Sequence, residues 1–301
     1  MRRLLGLSLA LVLALGATSA EAGPVRGGRF VEASAPSPAL GAPVSYTVYL
    51  PFGYERSARR YPVLYLLHGR GDSMSAWTRV KAELDRLIAT GQMPPTLAVL
   101  PDAPWSSGGS YYVDSAHTGG VAAETALTRD LVTHVDATYR TVASRSARLV
   151  GGYSMGGYGA LRYVLAHQDL FAQALVLSPA VYTPLPPADS SAREFGAFGA
   201  GDDPFDEDVY TSLNYPALLP RLDPALPVRL YVAVGDDEWP NPLPEDYRHD
   251  IDFESAALYN LARRTPGVTA DLRITDGGHD WDVWAPAFVD GMRLLGPALG
   301  G

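Results

Sequence analysis

Short apolar runs alternate with amphipathic stretches along most of the chain. Tyr61–Leu67, Leu97–Leu100, Ala147–Gly151, Ala172–Leu177 and Val228–Val234 are near-continuous apolar segments of strand length, the pattern of parallel strands buried on both faces. Between and after them, Ser75–Thr90, Ala122–Tyr139, Met155–His167, Phe253–Arg264 and Pro286–Leu295 are predicted as helices. Ala270–Ile274 supplies a late strand, and Val44–Leu50 alternates apolar and polar residues like a half-buried edge strand. Residues 23–45, rich in Gly, Ala, Pro and Ser, predict a loosely packed lead-in with a short strand at Gly28–Glu32. Strands and helices alternating in one chain predict an α/β architecture, a doubly wound and mostly parallel sheet with helices on both faces. The rhythm breaks over residues 181–225, where prolines, glycines and an acidic cluster from Asp202 to Asp208 predict an inserted loop or cap region.

The first residues follow a different pattern. Met1-Arg2-Arg3 is basic, Leu4–Leu15 is almost wholly apolar, and Ala20-Glu21-Ala22 offers small residues where a signal peptidase reads. This predicts a secretory signal peptide over residues 1–22, cut before Gly23, and a periplasmic or secreted protein. The apolar run is shorter than the roughly 20 residues a spanning helix needs, so no stable membrane insertion is expected after cleavage. Residues 23–301 are enough for a single α/β domain.

Composition removes several classes of function. The chain has no cysteine, so neither disulfides nor a lipid-modified cysteine is available. The formal net charge is −9 and Lys81 is the only lysine, which leaves no basic stripe for nucleic acid. No G-x-G-x-x-G follows an early strand and no His/Cys/Asp grouping has metal-ligand spacing. Neither cofactor nor metal is expected. Composition is silent on oligomeric state.

Candidate chemistry is concentrated in two places. Gly152-Tyr153-Ser154-Met155-Gly156 fits G-x-S-x-G, with a buried strand running into it and a helix of small residues running out. That context is a strand–turn–helix elbow, which holds a serine on a strained turn with its hydroxyl exposed above the sheet. Ser154 is the candidate nucleophile. Of the six histidines, His279 follows the last strand and the loop Thr275-Asp276-Gly277-Gly278. In this arrangement base follows acid along the chain, and His279 is the only histidine late enough both to follow an acid placed after Val234 and to precede a final helix. A second loop, Leu67-His68-Gly69-Arg70-Gly71, follows the strongest apolar strand. The backbone N–H groups of Met155 and Arg70 are candidate oxyanion donors, and His68 is expected to hold the loop by hydrogen bonds.

These motifs, together with Val48-Tyr49-Leu50-Pro51, Trp77, Leu100-Pro101-Asp102, and Gly277-Gly278-His279-Asp280-Trp281 with Trp284, resemble the putative-esterase family of α/β hydrolases. That family groups feruloyl and acetyl-xylan esterases, S-formylglutathione hydrolase, enterochelin esterases and antigen 85-type mycolyltransferases. The resemblance implies the α/β-hydrolase fold, a serine carboxylic-ester hydrolase acting through an acyl-enzyme, and Trp281 and Trp284 beside the pocket. Relatives commonly carry Gly-x-x-Asp after the strand that ends here at Val234. Counting from Gly235 puts Glu238 in the acid position, with Asp237 as the alternative one residue earlier. Asp250 and Asp252 are weaker candidates, placed to cap the next helix.

Within the family the feruloyl/acetyl-xylan type is nearest. Trp105, Tyr111 and Tyr112 are candidate substrate-binding residues, since aromatic faces suit a phenolic acyl group or a sugar ring. The expected partner is a small-molecule or carbohydrate ester. Two other readings share the scaffold. One is an antigen 85-type acyltransferase with the same Ser-His-acid machinery, and the other is a non-catalytic binding protein.

Overall fold

The computed structural model describes residues 26–103 and 109–299. The predicted signal peptide and Trp105 lie outside the described residues. Eight strands form one sheet, in the order β1-β2-β4-β3-β6-β7-β9-β10: β1 Arg29–Ala35, β2 Val44–Leu50, β3 Val63–Leu67, β4 Leu97–Pro101, β6 Arg148–Tyr153, β7 Gln173–Leu177, β9 Val228–Gly235 and β10 Val268–Thr275. Pairing is parallel from β4 through β10, while β2 runs antiparallel to both β1 and β4. A separate two-stranded ribbon pairs β5 (Ala116–His117) with β8 (Ala200–Gly201).

The helices are α1 Lys81–Ala89, α2 Ala123–Thr125, α3 Val132–Thr138, α4 Met155–Ala166, α5 Glu207–Leu213, α6 Tyr215–Leu218, α7 Ile251–Ala262 and α8 Trp281–Leu295. A π-helical turn, Ala126–Leu131, joins α2 to α3. Because side chains alternate across a strand, β3 feeds both layers of the core. Val63, Tyr65 and Leu67 point into the layer that holds α4, whereas Leu64 and Leu66 point into the layer that holds α1 and α8. Such two-sided burial is what the continuous apolar run predicts. Among the described residues, no helix is long and apolar enough to cross a membrane.

The structure corrects two of the expected elements. Val44–Leu50 is not an edge strand. The lead-in supplies β1, which pairs with β2 over the full register from Arg29–Leu50 to Ala35–Val44 and takes the edge itself. Asp85 fixes this lead-in by accepting hydrogen bonds from Gly28 N–H at 2.7 Å, the Tyr49 hydroxyl at 2.5 Å and Lys81 Nζ at 2.6 Å. The last helix begins at Trp281, five residues before Pro286, which lies inside it. Asp280 caps that helix, its carboxylate accepting from Asp282 N–H at 2.8 Å.

Residues 181–225 contain the short turn Ser191–Arg193, β8, α5, α6 and the turn Leu219–Arg221. Fully buried Phe198 anchors this segment, its ring lying 5.3 Å from Tyr111, 5.5 Å from Tyr158 of α4 and 4.8 Å from Tyr210 of α5.

Helix α8 approaches the sheet at Gly291. A Cβ there would sit 2.3 Å from Leu175 Cδ1 and 2.9 Å from the Tyr231 ring. Gly291→Ala therefore gains helix propensity of about 1 kcal/mol but overpacks a filled site, at a cost of about 1–3 kcal/mol. Net destabilisation is expected, read as a lower thermal midpoint. An unchanged or higher midpoint would show that Leu175 and Tyr231 move aside freely.

Candidate active site

Ser154 sits at the C-terminal end of β6 with φ 57 and ψ −123, a conformation that side-chain-bearing residues rarely adopt. Close backbone packing enforces it. A Cβ on Gly152 would lie 2.1 Å from Gly156 O, and one on Gly156 would lie 2.3 Å from Leu67 O. Ser154 N–H donates to Leu177 O at 2.9 Å, and Ser154 O accepts from Ala180 N–H and Tyr158 N–H, both at 3.1 Å. The serine is half-buried and immediately precedes α4. Met155 is the first residue of that helix, so its N–H has no carbonyl partner within the helix and carries the positive end of the dipole.

The loop after β3 rests against this elbow. A Cβ on Gly69 would meet the Tyr153 ring at 2.6 Å and Ser154 Cβ at 3.5 Å. Four side chains hold the loop. Trp77 Nε1 donates to Leu67 O at 2.9 Å, the Tyr112 hydroxyl to His68 O at 2.8 Å, the Tyr153 hydroxyl to Asp72 Oδ2 at 2.5 Å, and His68 Nδ1 to Gly69 O at 2.8 Å. Burial pushes the His68 imidazole below its ordinary value, which keeps it neutral. Arg70 is exposed, and its Cδ and the Met155 sulfur both lie beside Gly109, at 3.4 and 3.5 Å from the position of a Cβ there. The side chains of the two candidate oxyanion residues thus meet beside Gly109, and Gly69, the residue before Arg70, packs against Ser154.

Tyr111 and Tyr112 are both buried, at 3% and 0% exposure. Tyr111 packs edge-on against Tyr158 at 5.6 Å, and Tyr112 spends its hydroxyl on His68 O. Tyr112 thereby holds the loop after β3. The sequence pattern shows the aromatics but not their burial, and both residues have a positive φ, 47 and 59.

The post-β9 loop carries the candidate acids. Glu238 is 2% exposed, and its Oε2 accepts from His279 Nδ1 at 2.9 Å. Its Oε1 accepts from Gly235 N–H at 2.7 Å and from the Ser178 hydroxyl. Asp237 is exposed, and its backbone N–H donates to Gly277 O at 3.0 Å. Asp250 accepts from Asn241, N–H at 2.8 Å and Nδ2 at 2.6 Å. Asp252, in the first turn of α7, has its carboxyl raised by burial. Of these acids, Glu238 is the one bonded to His279.

The loops bearing acid and base are fastened together. Besides the Asp237–Gly277 bond, Asp236 N–H donates to Thr275 O at 2.9 Å and Gly277 N–H to Asp236 Oδ1 at 3.1 Å. Gly235 makes the approach possible, since a Cβ there would lie 2.1 Å from Gly277 O.

Trp284 connects His279 to the elbow. Its ring stacks on Tyr153, the residue before Ser154, at 4.3 Å and meets the His279 ring edge-on at 5.0 Å. It is 6% exposed, so its place beside the site is within the wall. Trp281 is half-exposed, 5.1 Å from Tyr153 and 5.5 Å from the Arg79 guanidinium. Sequence reasoning passed over Ser178. Its only signal there is a serine closing an apolar strand before Pro179.

The comparisons agree with this geometry. Residues 37–295 match the model of the "Putative esterase" family. An endo-1,4-beta-xylanase/feruloyl esterase of Xylanibacter ruminicola is 30% identical over 190 residues, 59% of this chain and 25% of its own length. An esterase of Mycobacterium tuberculosis is 36% identical over 136 residues, 45% of this chain and 29% of its own length. The chain therefore spans less than a third of these two relatives. Among solved structures, a ferulic acid esterase superposes with a TM-score of 0.73 at 26% identity, covering 90% of this chain and 98% of that one. With the family model covering most of its length, and the mostly parallel sheet and serine elbow in place, the chain belongs to the putative-esterase family of α/β hydrolases.

Proposed function

We propose that this protein is a serine esterase that hydrolyses a carboxylic ester through an acyl-enzyme. The observation that carries the reading is the buried Glu238 bonded to His279 Nδ1 at 2.9 Å, joined through Trp284 to the strained turn at Ser154. With Nδ1–H committed to the carboxylate, Nε2 is the lone-pair nitrogen of the neutral ring. Nε2 takes the Ser154 proton as Oγ attacks the ester carbonyl. The resulting oxyanion accepts hydrogen bonds from Met155 N–H and Arg70 N–H. The C–O bond to the leaving alcohol then breaks, the alcohol takes the proton from His279, and an acyl-Ser154 ester remains. Water gives its proton to His279 and attacks that ester, and the second oxyanion collapses with cleavage of the acyl C–Oγ bond as Ser154 Oγ takes the proton back from His279, leaving the free acid and regenerated Ser154.

A feruloyl- or acetyl-type ester of a carbohydrate is the proposed substrate class. The support is the feruloyl esterase naming of the Xylanibacter relative and of the ferulic acid esterase structure. The half-exposed Trp281 is the described candidate for contact with substrate. Export is part of the proposal and rests on the pattern of residues 1–22. N-terminal sequencing of exported protein is expected to start at Gly23, and a start at Met1 would count against it.

Activity is best tested on p-nitrophenyl acetate, methyl ferulate and acetylated or feruloylated xylooligosaccharides. Purified Ser154→Ala should lose essentially all hydrolysis, and retention of it would remove the serine mechanism. Glu238→Gln should lower kcat/KM by about a thousandfold or more, as expected when an acid that orients the base is neutralised. Asp237→Asn should stay within about threefold of wild type, since an exposed side chain away from the chemistry contributes little. The opposite ranking would move the acid to Asp237.

A further inference from the structure

Ser178 directly follows β7 and plays no part in the bond-breaking steps above, yet it is completely buried and has a left-handed backbone, φ 40. Its N–H donates to Ala233 O at 2.7 Å, which ties it to the strand that carries the acid loop. The hydroxyl has two partners. It donates to Glu238 Oε1 and accepts from Trp284 Nε1 at 2.9 Å. The direction of both bonds is fixed by chemistry. An indole N–H can only donate, and an ionised carboxylate can only accept, so the protons run from tryptophan to serine to glutamate.

We propose that Ser178 and Trp284 form a positioning relay for the triad acid, holding one oxygen of Glu238 so that the other meets His279. This rests on Glu238 acting as the acid in the reaction proposed above. Three donors from three segments converge on the buried carboxylate: Gly235 N–H at the end of β9, the Ser178 hydroxyl at the end of β7, and His279 Nδ1 after β10. The backbone donor fixes one lone pair of Oε1, and Ser178 supplies the second contact that stops the carboxylate turning about its terminal torsion. That torsion is intrinsically broad, so fixed donors are what define its angle. Trp284 orients the serine hydroxyl while its ring meets His279 edge-on at 5.0 Å. One side chain therefore sets the angle of the acid and walls the base.

The test compares each variant in two backgrounds. Ser178→Ala removes the hydroxyl with little change of volume, and Trp284→Phe removes the indole N–H while keeping an aromatic ring on Tyr153. On p-nitrophenyl acetate, Ser178→Ala should lower kcat by about tenfold or more with KM within about twofold, the signature of a contact that matters in the transition state. Trp284→Phe should lower kcat by a smaller factor. In the Glu238→Gln background both effects should shrink to less than about twofold, because a residue acting through the acid has nothing left to position. Equal losses in both backgrounds would overturn the proposal, since a merely structural serine or tryptophan destabilises the site whatever stands at 238. No loss in the wild-type background would overturn it as well. If Glu238→Gln itself remained as active as wild type, the acid assignment would fall, and that result is read separately from the single variants. Thermal midpoints and near-ultraviolet circular dichroism on the same samples show that each variant is folded.

Discussion

Glu238 places a charge where water scarcely reaches, and the active end of the molecule is arranged around that fact. Burying an unpaired carboxylate costs several kcal/mol even after relaxation. Hydrogen bonds to a charged group return about 1.5–3 kcal/mol each, so Glu238 needs several of them, all in good geometry. Its three donors lie at the C-terminal ends of β7 and β9 and just beyond β10. Neighbouring parallel strands deliver such ends side by side, which is why open α/β sheets place their sites along this edge. Sheet order thus decides which loops can share the carboxylate. β7 and β10 flank β9 on either side, and they supply the serine and the histidine.

The candidate nucleophile obeys a different constraint. Ser154 holds φ 57 because β3, β6 and α4 meet with no space for side chains at Gly152 and Gly156. A strained residue of this kind costs about 1–3 kcal/mol and persists only when its surroundings leave no alternative. Here the surroundings are backbone carbonyls of neighbouring elements, which cannot rotate away as a side chain would. Steric closure therefore fixes the serine and charge satisfaction fixes the histidine. Trp284 joins the two by stacking on Tyr153 and meeting His279.

Most of the sheet was legible in the sequence because strands buried on both faces are apolar without interruption, and β3, β4, β6, β7 and β9 all read that way. The serine elbow was legible for a related reason: close backbone approach demands glycine, and glycine leaves a mark on the string. What stayed hidden depended on direction or on distant partners. β2 alternates polar and apolar residues as an edge strand would, but β1 covers it, and nothing in Val44–Leu50 reports that neighbour. The start of α8 was missed because the aspartate of Gly-Gly-His-Asp-Trp reads as loop, whereas it caps the helix. Tyr111 and Tyr112 are visible as aromatics, and nothing in the string reports that both are buried. Ser178 left almost no trace, since a hydroxyl acquires its meaning from Glu238, 60 residues away along the chain.

The choice between two adjacent carboxylates shows how far counting residues carries and where geometry must take over. In the loop after β9, Asp236 and Asp237 are exposed and Glu238 is buried, so a shift of one position from 238 to 237 exchanges interior for solvent. The bond from Asp237 N–H to Gly277 O uses the backbone at 237 to join the two loops. Its side chain is left in water, and the next residue turns inward toward His279. A carboxylate in water at position 237 would be screened and mobile, unable to fix an imidazole tautomer. Glutamate at 238 also has one more methylene than aspartate. That length lets Oε1 fold back to Gly235 N–H, three residues earlier, while Oε2 reaches His279. An aspartate at the same position would have to give up one of these contacts or draw the loop inward, against the three hydrogen bonds that hold it to the histidine loop. The acid's identity and the fastening of its loop are therefore one structural solution.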